Sequence, residues 1–413
     1  MNLSRHFLIF LTLRFVSVTL SEKTSGFYID NGHDQTALHE VLSQKQKFEL
    51  EEEMLSLLDI PEKPQHVSRN LDLVKRSAPM FLIDVYNFRD DADAEDEALE
   101  VSTLNDTNLS VFDIRGQNVQ NIKDSNFIMS LGAQSSKFPG VVKTEKVKRL
   151  WFNVSHVSSE DEILRAELRL FRSIENVSVR RNQGPITIIV YRVASARNED
   201  GDREFVFVDS INTTEINGWV ILNITESLHH WVYSSEPNRG LYLSAFSNDR
   251  PDHEIRPENV GIVGFGDDPA KQPFMVGYLK RTELRRKRRI ELSYADSYSF
   301  FEDLRFQRKP TPCQRENLYV NFADLNWQDI IIAPKGYDAY FCYGECNFPF
   351  QNEIRATNHA VIQGLVNLRN SSIPKPCCAP IEMKKIKLIY QLDEDSYAYR
   401  DKDNMVVGSC GCQ

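Results

Sequence analysis

The sequence predicts a small, disulfide-bonded, all-β domain at the C-terminus, preceded by a larger α+β region without cysteines. The chain has 413 residues, and all seven cysteines lie after residue 312. Two short segments, Cys342–Cys346 and Cys410–Cys412, begin and end with a cysteine. If they lie side by side and are bridged twice, they close a ring of eight residues, in which Gly344 and Gly411 leave room for a chain to pass. A third bridge through this ring would make a cystine knot.

The adjacent pair Cys377-Cys378 indicates a covalent dimer. Neighbouring side chains on an extended strand point to opposite faces, so one cysteine can face the ring while the other faces outward. An odd cysteine in a secreted chain indicates pairing between chains, and the spacing alone does not choose among the fifteen pairings of the other six. Zinc binding is the competing interpretation, but the region has one histidine, His359, and no pair of Cys-x-x-Cys motifs.

The motifs around these cysteines resemble the C-terminal domain of the transforming growth factor-β superfamily, and in particular the bone morphogenetic proteins. They span the whole domain: Trp327-Gln328-Asp329, Ile332-Ala333-Pro334, Cys342 to Pro349, Ala356 to Ala360, Pro374 to Pro380 and Asn404 to Cys412. The resemblance implies three disulfides within the chain, Cys313–Cys378, Cys342–Cys410 and Cys346–Cys412. It also implies that Cys377 bonds its counterpart in a second chain.

The resemblance further implies a secreted growth factor that acts as a disulfide-linked dimer, with a copy of itself or with a second bone morphogenetic protein. Such a dimer brings type I and type II receptor serine/threonine kinases together and triggers Smad signalling in development. The implied type I receptor contacts are Trp327, Ile330, Phe348, Pro349, Phe350 and Asn358, and the implied type II receptor contacts are Ala333, Pro334, Lys387, Ile389 and Tyr390. For the aromatic residues, burial in the dimer core is the competing interpretation.

The sequence departs from the family pattern at three positions. Ile330 stands where a second tryptophan is usual, Arg355 replaces the asparagine of a glycosylation triplet, and Lys387 replaces a small polar residue. Interface hot spots are enriched in tryptophan, and a charge at an interface must be desolvated or paired. We therefore expect a weakly active homodimer and a more potent heterodimer.

A run of basic residues divides the chain. Residues 285–289 match Arg-x-Lys/Arg-Arg in two registers, one ending at Arg288 and one running from Arg286 to Arg289. A processing protease with an acidic cleft reads such a run through charge pairing, whereas heparin or nucleic-acid binding is the alternative. Cleavage after Arg289 would leave residues 22–289 as a propeptide and a mature domain, residues 290–413, that starts at Ile290. Residues 290–312 are predicted to be a flexible arm.

Residues 1–21 are typical of a signal peptide, because basic residues precede an apolar run that ends in small residues. The run is too short and too broken for a membrane anchor, so we expect secretion without membrane insertion. Residues 36–60 carry apolar residues at helical spacing. They predict either an ordinary amphipathic helix or, by position in the family, a propeptide helix that embraces the growth factor.

The rest of the propeptide is predicted to be α+β, with this N-terminal helix followed by a β-sandwich-like arm domain. Residues 77–87 are similar to a motif in propeptides of the osteogenic branch of bone morphogenetic proteins. Short β-prone runs recur between turn residues from 142 to 280 and predict the arm domain.

The acidic residues 89–106 predict a solvated loop. A calcium site is the alternative for this acidic segment, although its candidate ligands lack the EF-hand spacing: Asp90, Asp91, Asp93 and Glu95.

The mature domain is predicted to be a small all-β cystine knot with one helix and two two-stranded fingers. Residues 318–322 and 330–342 predict the first finger, and residues 381–392 and 397–407 predict the second. A helix capped by Thr357 or Asn358 is predicted to run through residue 368. Two-stranded fingers are marginally stable alone, so disulfides and a partner chain must stabilise them.

Seven Asn-x-Ser/Thr triplets predict N-linked glycans on exposed loops. They begin at Asn105, Asn108, Asn153, Asn176, Asn212, Asn223 and Asn370.

The composition argues against a nucleic-acid partner, because the net charge is -10 and the pI is about 5.5. Neither Gly-x-Ser-x-Gly nor His-Glu-x-x-His occurs, so no enzyme activity, metal or cofactor is predicted.

Heparan sulfate binding is expected to be weak, because it depends on attraction between opposite charges and the chain is net negative. Extracellular antagonists are expected partners. A cystine-knot antagonist or a matrix protein is the competing class. The long propeptide, the basic run and residues 405–407 favour the growth factor.

Overall fold

The computed structural model describes residues 75–97, 117–134, 148–173, 184–194, 204–281 and 311–413, with short gaps at 215, 249, 266 and 351–353. It also describes residues 26–30, residues 36–41 and a few single positions up to residue 114. The predicted signal peptide, the basic run with Arg286, Arg288, Arg289 and Ile290, and the predicted arm up to residue 310 lie outside the described residues.

The N-terminal unit, residues 1–63, contains a β-hairpin. Strand β1 (Gly26–Asp30) pairs antiparallel with strand β2 (Thr36–Val41). The helix predicted from residue 36 is therefore wrong over β2. Strand-forming aromatic residues in β1 and the turn dipeptide Asn31-Gly32 between the two runs favour a hairpin, which outweighs the helical spacing of Leu38 and Val41. Most of the predicted helix beyond β2 lies outside the described residues, although Met54 and Leu55 are helical.

The larger unit, residues 64–413, begins with helix α1 (Ser77–Glu97), which contains the motif at residues 77–87. Its buried residues Ala78, Phe81, Leu82 and Val85 follow the i, i+3, i+4, i+7 spacing of one helix face. The backbone remains helical through Glu97, so the loop predicted from residue 89 is wrong for this segment. The candidate calcium ligands Asp90, Asp91, Asp93 and Glu95 thus lie on a helix and not in a loop.

Two antiparallel sheets follow, as the recurring β-prone runs predict. Their strands and the two accompanying helices are α2 (Gln117–Asp124), β3 (Phe127–Gly132), β4 (Arg149–Leu150), β5 (Glu162–Arg172), β6 (Ile186–Val193), β7 (Phe205–Thr213), β8 (Gly218–Asn223), α3 (Thr225–Tyr233), β9 (Leu241–Ser247), β10 (Arg250–Ile255) and β11 (Phe274–Lys280). One sheet has the order β10-β9-β6-β7, with β4 beside β9, and the other contains β3, β11, β5 and β8 in that order.

The C-terminal domain has the two predicted fingers and the predicted helix. Its elements are β12 (Gln314–Glu316), β13 (Tyr319–Asn321), β14 (Ile331–Ala333), β15 (Gly336–Asp338), β16 (Phe341–Tyr343), β17 (Arg355–Ala356), α4 (Asn358–Arg369), β18 (Cys378–Gln391) and β19 (Ser396–Cys412). The first finger pairs β12 with β16 and β13 with β15, while β18 and β19 form the second. Strand β14 differs from the prediction, because it pairs with β18 of the second finger. The Thr357 hydroxyl caps α4 by accepting from the main-chain N–H of Ala360, at 3.1 Å.

Three disulfides hold the base of this domain, and they join the pairs that the resemblance implies. They are Cys313–Cys378, Cys342–Cys410 and Cys346–Cys412. The last two close the eight-residue ring, and the sulfur of Cys313 lies within 4.8 Å of the sulfurs of Cys346 and Cys412. This close cluster could resemble a metal site, but all three sulfurs are already bonded in disulfides, which fits a cystine knot. Cys377 is exposed and has no disulfide partner within the chain.

The ring leaves no space for a side chain at Gly344. A methyl group there would lie 2.4 Å from the carbonyl oxygen of Pro312, which leads into Cys313, and the φ of Gly344 is +118°. We expect Gly344→Ala to destabilise the domain by about 3 kcal/mol or more, because strain and overlap add. The measurement is the yield of secreted protein with all three disulfides. Gly264→Ala, where the nearest atom would be 3.7 Å away, is the control, and equal yields would contradict the prediction.

Candidate functional site: the covered face of the second finger

The second finger continues the sheet formed by β3, β11, β5 and β8 of the larger unit. Strand β19 pairs antiparallel with β3, from Ser396 opposite Leu131 to Arg400 opposite Phe127. The result is one eight-stranded sheet in the order β14-β18-β19-β3-β11-β5-β8, with β17 beside β19 as the eighth strand. The main chain of Asp401 also donates to the carbonyl oxygen of Asn126, at 3.2 Å. This pairing fixes the register between two parts of the chain that are far apart in sequence.

Helix α1 covers the apolar face of this finger. Ile389 on β18 and Tyr397 and Tyr399 on β19 are almost fully buried, in the same cluster as Phe81 and the other core residues of α1. Ile332 and Ala333 on β14 pack against the edge of that cluster. Each large apolar side chain removed from water contributes about 1.5–3 kcal/mol, so this burial is the main attraction between α1 and the finger.

Arg89 of α1 makes the central polar contact with the finger. Its guanidinium donates to the carboxylate of Asp401 at 3.0 Å and to the hydroxyl of Tyr399 at 3.2 Å, and it lies 4.9 Å from the centre of the Tyr399 ring. The same group donates to the carbonyl oxygens of Ile122 and Ser125 at the end of α2. Burial raises the pKa of Tyr399 far above its ordinary value, so its hydroxyl stays protonated and donates to Asp401, at 2.8 Å.

The loop at the end of the second finger, residues 392–395, is held by three side chains from residues 76–156 of the same unit. We call this loop the fingertip. Asn153 donates its amide to Asp393 at 2.7 Å, and the Nε2 atom of His156 lies 3.2 Å from the same carboxylate. Arg76 donates to Asp395 at 2.7 Å. The fingertip is therefore fixed from both the start of α1 and the loop after β4.

The electrostatics of the two fingertip carboxyls differ. Burial opposes ionisation of Asp393, but hydrogen bonds from His156, the main chain of Asp395 and Asn153 outweigh it and lower its pKa to about 2. For Asp395, burial outweighs the attraction of Arg76 and raises the pKa. The Arg76–Asp395 pair is partly exposed to solvent, so we expect it to orient the fingertip more than to stabilise it.

Of the residues assigned to the type II receptor, Ile389 and Ala333 belong to this covered cluster, whereas Tyr390 follows Ile389 on β18 and faces the other side of the strand. Ile389 and Tyr390 are buried, and Ala333, Pro334 and Lys387 are partly buried. Lys387 lies opposite Asp401 in the pairing of β18 with β19. At Ile389 and Ala333, therefore, this face is not a free surface.

The residues assigned to the type I receptor do not form one exposed surface. Trp327 is 6% exposed and stacks on Phe322, and Ile330 is 1% exposed, which does not fit the expectation of a surface position that has lost an aromatic contact. Phe348 and Phe350 are half-buried, with their rings edge to face at 5.6 Å. Pro349 and Asn358 are exposed. A receptor role for these six residues stays a prediction.

Sequence reasoning missed the side chains that hold the finger. Arg76 and Arg89 stand on either side of the apolar motif at residues 77–87, and the second finger carries acidic residues. These opposite charges are the sequence signal that could have indicated the contact. Asn153 was singled out only as a glycosylation triplet, and its side chain is half-buried against Asp393. Among the other triplets, Asn212, Asn223 and Asn370 are exposed, whereas Asn105, Asn108 and Asn176 lie outside the described residues.

The helix α4 presents an uncovered apolar face. Five of its apolar side chains are more than one-third exposed: Val361, Ile362, Leu365, Val366 and Leu368. An exposed patch of this kind on one element marks an interaction surface. Among the described residues, no helix combines the length and the hydrophobicity that a membrane span requires.

Comparisons with known proteins agree with this two-part architecture. The family described as TGF-beta propeptide matches residues 31–278, and the family described as transforming growth factor beta like domain matches residues 312–412. Protein 60A of Drosophila melanogaster is 34% identical over an alignment of 438 positions, and the alignment covers 97% of this chain and 95% of that protein. Bone morphogenetic protein 8A of Homo sapiens is 27% identical over 389 residues, which cover 90% of this chain and 91% of that protein.

The fold and the covered finger define a growth factor domain joined to its propeptide. With these matches, the chain belongs to the transforming growth factor-β superfamily and is of the bone morphogenetic protein type. The recognition made from the cysteine spacing and the flanking motifs is thus confirmed.

Arg89 provides a direct test of the polar contact. Arg89 and Asp401 are only 11% and 13% exposed, so Arg89→Ala removes the buried cation from a nearly buried carboxylate. We expect the opening free energy of α1, measured by hydrogen exchange on the intact precursor, to fall by about 3 kcal/mol. Lys385→Ala is the matched control, because Lys385 lies 3.4 Å from the same carboxylate but is 53% exposed. Its effect should stay below about 1 kcal/mol, and similar effects of the two variants would refute the assignment.

Acid should weaken the hold on the fingertip through Asp393. A carboxyl whose pKa is lower in the closed form stabilises that form above its free pKa of about 4, and this contribution is lost as the pH falls through about 2. Protonation of Asp395, whose pKa is raised, acts in the opposite direction. Hydrogen exchange of residues 393–396, corrected for intrinsic rates, should therefore show a step between pH 4 and 2. The step should disappear in Asp393→Asn; a step that persists would assign it to another group.

Proposed function

We propose that this chain is the precursor of a secreted signalling ligand that the propeptide keeps inactive. Cleavage after Arg289 separates residues 22–289 from the growth factor domain. Two growth factor domains, identical or from two different bone morphogenetic proteins, are linked through Cys377. The dimer then gathers type I and type II receptor serine/threonine kinases and triggers Smad signalling in development. Extracellular antagonists and, weakly, heparan sulfate are further partners in this proposal.

The observation that carries the proposal is the burial of Ile389 beneath α1. A receptor that uses this face of the second finger must displace α1, and its apparent affinity is the intrinsic affinity multiplied by the fraction of molecules in which α1 is displaced. The propeptide is therefore an inhibitor built into the precursor. Removal of its apolar contact, and not cleavage alone, is the activating step.

The dimer is supported by two features of the growth factor domain. Cys377 is exposed and unbonded within the chain, and the apolar face of α4 is exposed in a domain with little core of its own. A second chain that covers α4 would remove this face from water and bring a second Cys377 within reach. Stability of the small domain then comes from disulfides and association.

Receptor binding tests the function. We expect the isolated growth factor dimer to bind a type II receptor ectodomain at least tenfold more tightly than the cleaved complex that retains its propeptide. Phe81→Ala, which removes a buried ring of α1 at a cost of about 3–5 kcal/mol, should raise the affinity of the complex toward that of the free dimer. Met54→Ala, a change at a half-exposed position of the N-terminal unit, is the control.

The same proteins should be compared in a Smad-dependent reporter. Activation by the dimer supports the ligand, whereas inhibition of an added bone morphogenetic protein would indicate a cystine-knot antagonist. Equal receptor affinity of dimer and complex would refute inhibition by α1.

The covalent dimer has its own test. Cys377→Ser should abolish the dimer on a non-reducing gel, while mass spectrometry still finds the disulfides Cys313–Cys378, Cys342–Cys410 and Cys346–Cys412. N-terminal sequencing of the wild-type growth factor domain should begin at Ile290. A dimer that survives the substitution would assign the interchain bond to another cysteine.

A further inference from the structure

An exposed aromatic patch lies on the outer face of the sheet β10-β9-β6-β7, away from the growth factor domain's strands in the other sheet. It consists of Tyr191, Phe205, Phe207 and Tyr242. The ring of Tyr191 contacts those of Phe205 and Phe207, each at 6.2 Å between centres, and the ring of Phe205 lies 4.8 Å from that of Tyr242. Phe207 is 58% exposed. Neither the disulfide-bonded domain nor the covered finger accounts for this patch.

The strand register places Asn212 on the same face as the patch. On β6, Ile186, Ile188 and Val190 are buried, so the intervening residues Thr187 and Tyr191 face outward. Asn212 lies opposite Thr187, and Phe207 lies opposite Tyr191. A β-bulge adds one residue to β7 between these two pairs, so Asn212 and Phe207 both project from the outer face. They are about 13 Å apart, the length of the four residues from Thr187 to Tyr191 at the usual rise of a strand.

Asn212 has the properties of an acceptor for an N-linked glycan. It is exposed and begins the triplet Asn212-Thr213-Thr214. Its carbonyl Oδ1 accepts a hydrogen bond from the amide of Asn248, at 3.3 Å, so this bond does not use the amide nitrogen to which a sugar is attached. At Asn153, by contrast, the amide nitrogen is the donor to the fingertip.

We propose that Asn212 carries an N-linked glycan whose first sugars lie over the aromatic patch. A lipid-linked oligosaccharide of the secretory pathway is the donor. A bond forms between Nδ2 of Asn212 and C1 of the first sugar, the bond from C1 to the lipid diphosphate breaks, and the amide proton leaves with the lipid diphosphate. The inference rests on the secretion proposed above.

The chemistry of the patch suits a sugar. The faces of aromatic rings carry negative charge, and pyranose rings present a face of C–H groups that stacks on them. At the rim of the patch, Lys148 lies 5.6 Å from the centre of the Tyr242 ring and 2.8 Å from the carboxylate of Glu254, so a charged pair borders the rings. A bulky, solvated chain anchored beside the rings would keep them from water without a protein partner.

The glycan would also protect the edge of the sheet. In the described part of the chain, β7 is the outermost strand of its sheet, and its first residues, Phe205-Val206-Phe207, are all more than one-third exposed. An exposed, apolar edge strand is a site of aggregation. A glycan on the outer face of this strand hinders another chain from pairing with it.

Mapping of the glycans is the first experiment. The full chain is secreted from a eukaryotic cell, and peptides are analysed by mass spectrometry before and after treatment with a peptide N-glycosidase. Occupancy of Asn212 in the secreted chain, alone or with other triplets, supports the inference. A secreted chain without a glycan on Asn212 overturns the inference but leaves the proposed secretion intact, whereas a chain that stays in the cell and carries no glycan overturns both.

Exposure of the patch is the second experiment. We expect Asn212→Gln to bind an apolar fluorescent dye several-fold more than the wild type, and Phe205→Ser with Phe207→Ser in the same chain to reverse the gain. Asn223→Gln, which removes a triplet from the other sheet, is the matched control and should match the wild type. Enzymatic removal of glycans from the native wild-type protein gives the same readout if Asn212→Gln is poorly secreted.

Three results would overturn the placement of the glycan on the patch. One is dye binding that does not change when the Asn212 glycan is lost. Another is an equal gain in Asn223→Gln. The third is a patch that binds no dye because the variant forms a discrete dimer through β7, which would show that a second copy covers the rings.

Discussion

The apolar contact between α1 and the second finger holds the two parts of the precursor together. Phe81 and its neighbours on one side, and Ile389, Tyr397 and Tyr399 on the other, share one buried cluster. The same cluster contains Phe274, Val276 and Tyr278 of β11, so α1 packs on the sheet of the propeptide as well as on the finger. Removal of α1 would therefore expose apolar residues on both.

Polar contacts fix the position in which α1 and the finger make this apolar contact. The pairing of β3 with β19 sets the register, because a slip by one residue would turn the tyrosines of β19 to the opposite face. Arg89 then requires Asp401 and Tyr399 at defined positions. Partly buried charges of this kind add little net stability when paired, but they strongly disfavour arrangements that leave them unpaired. Specificity and attraction thus come from different atoms of the same interface.

The disulfides stabilise the growth factor domain, whose own apolar core is small. Its buried cluster at the base consists largely of cysteines, together with Ala360 of α4. Cross-links constrain the unfolded chain and make two thin fingers stable enough to present a surface. A domain built in this way exposes apolar residues, on α4 and on the finger, that another chain can cover. The propeptide covers the finger, and in our proposal the second chain and the receptors use the surfaces that remain.

The sequence by itself determined the parts of this protein whose cause is local. Cysteine spacing and ring glycines predicted the knot, and the Thr357 cap with apolar spacing predicted α4. Local patterns also misled, since Leu38 and Val41 fit a helix as well as a strand, and the acidic residues after Arg89 gave no sign that α1 continues. Only the tertiary structure decided that β19 continues the propeptide sheet and that Arg89 meets Asp401, more than 300 residues away. Periodicity reports which face of an element is buried, but the identity of the covering element depends on the shape and charge of both partners, which no single segment contains.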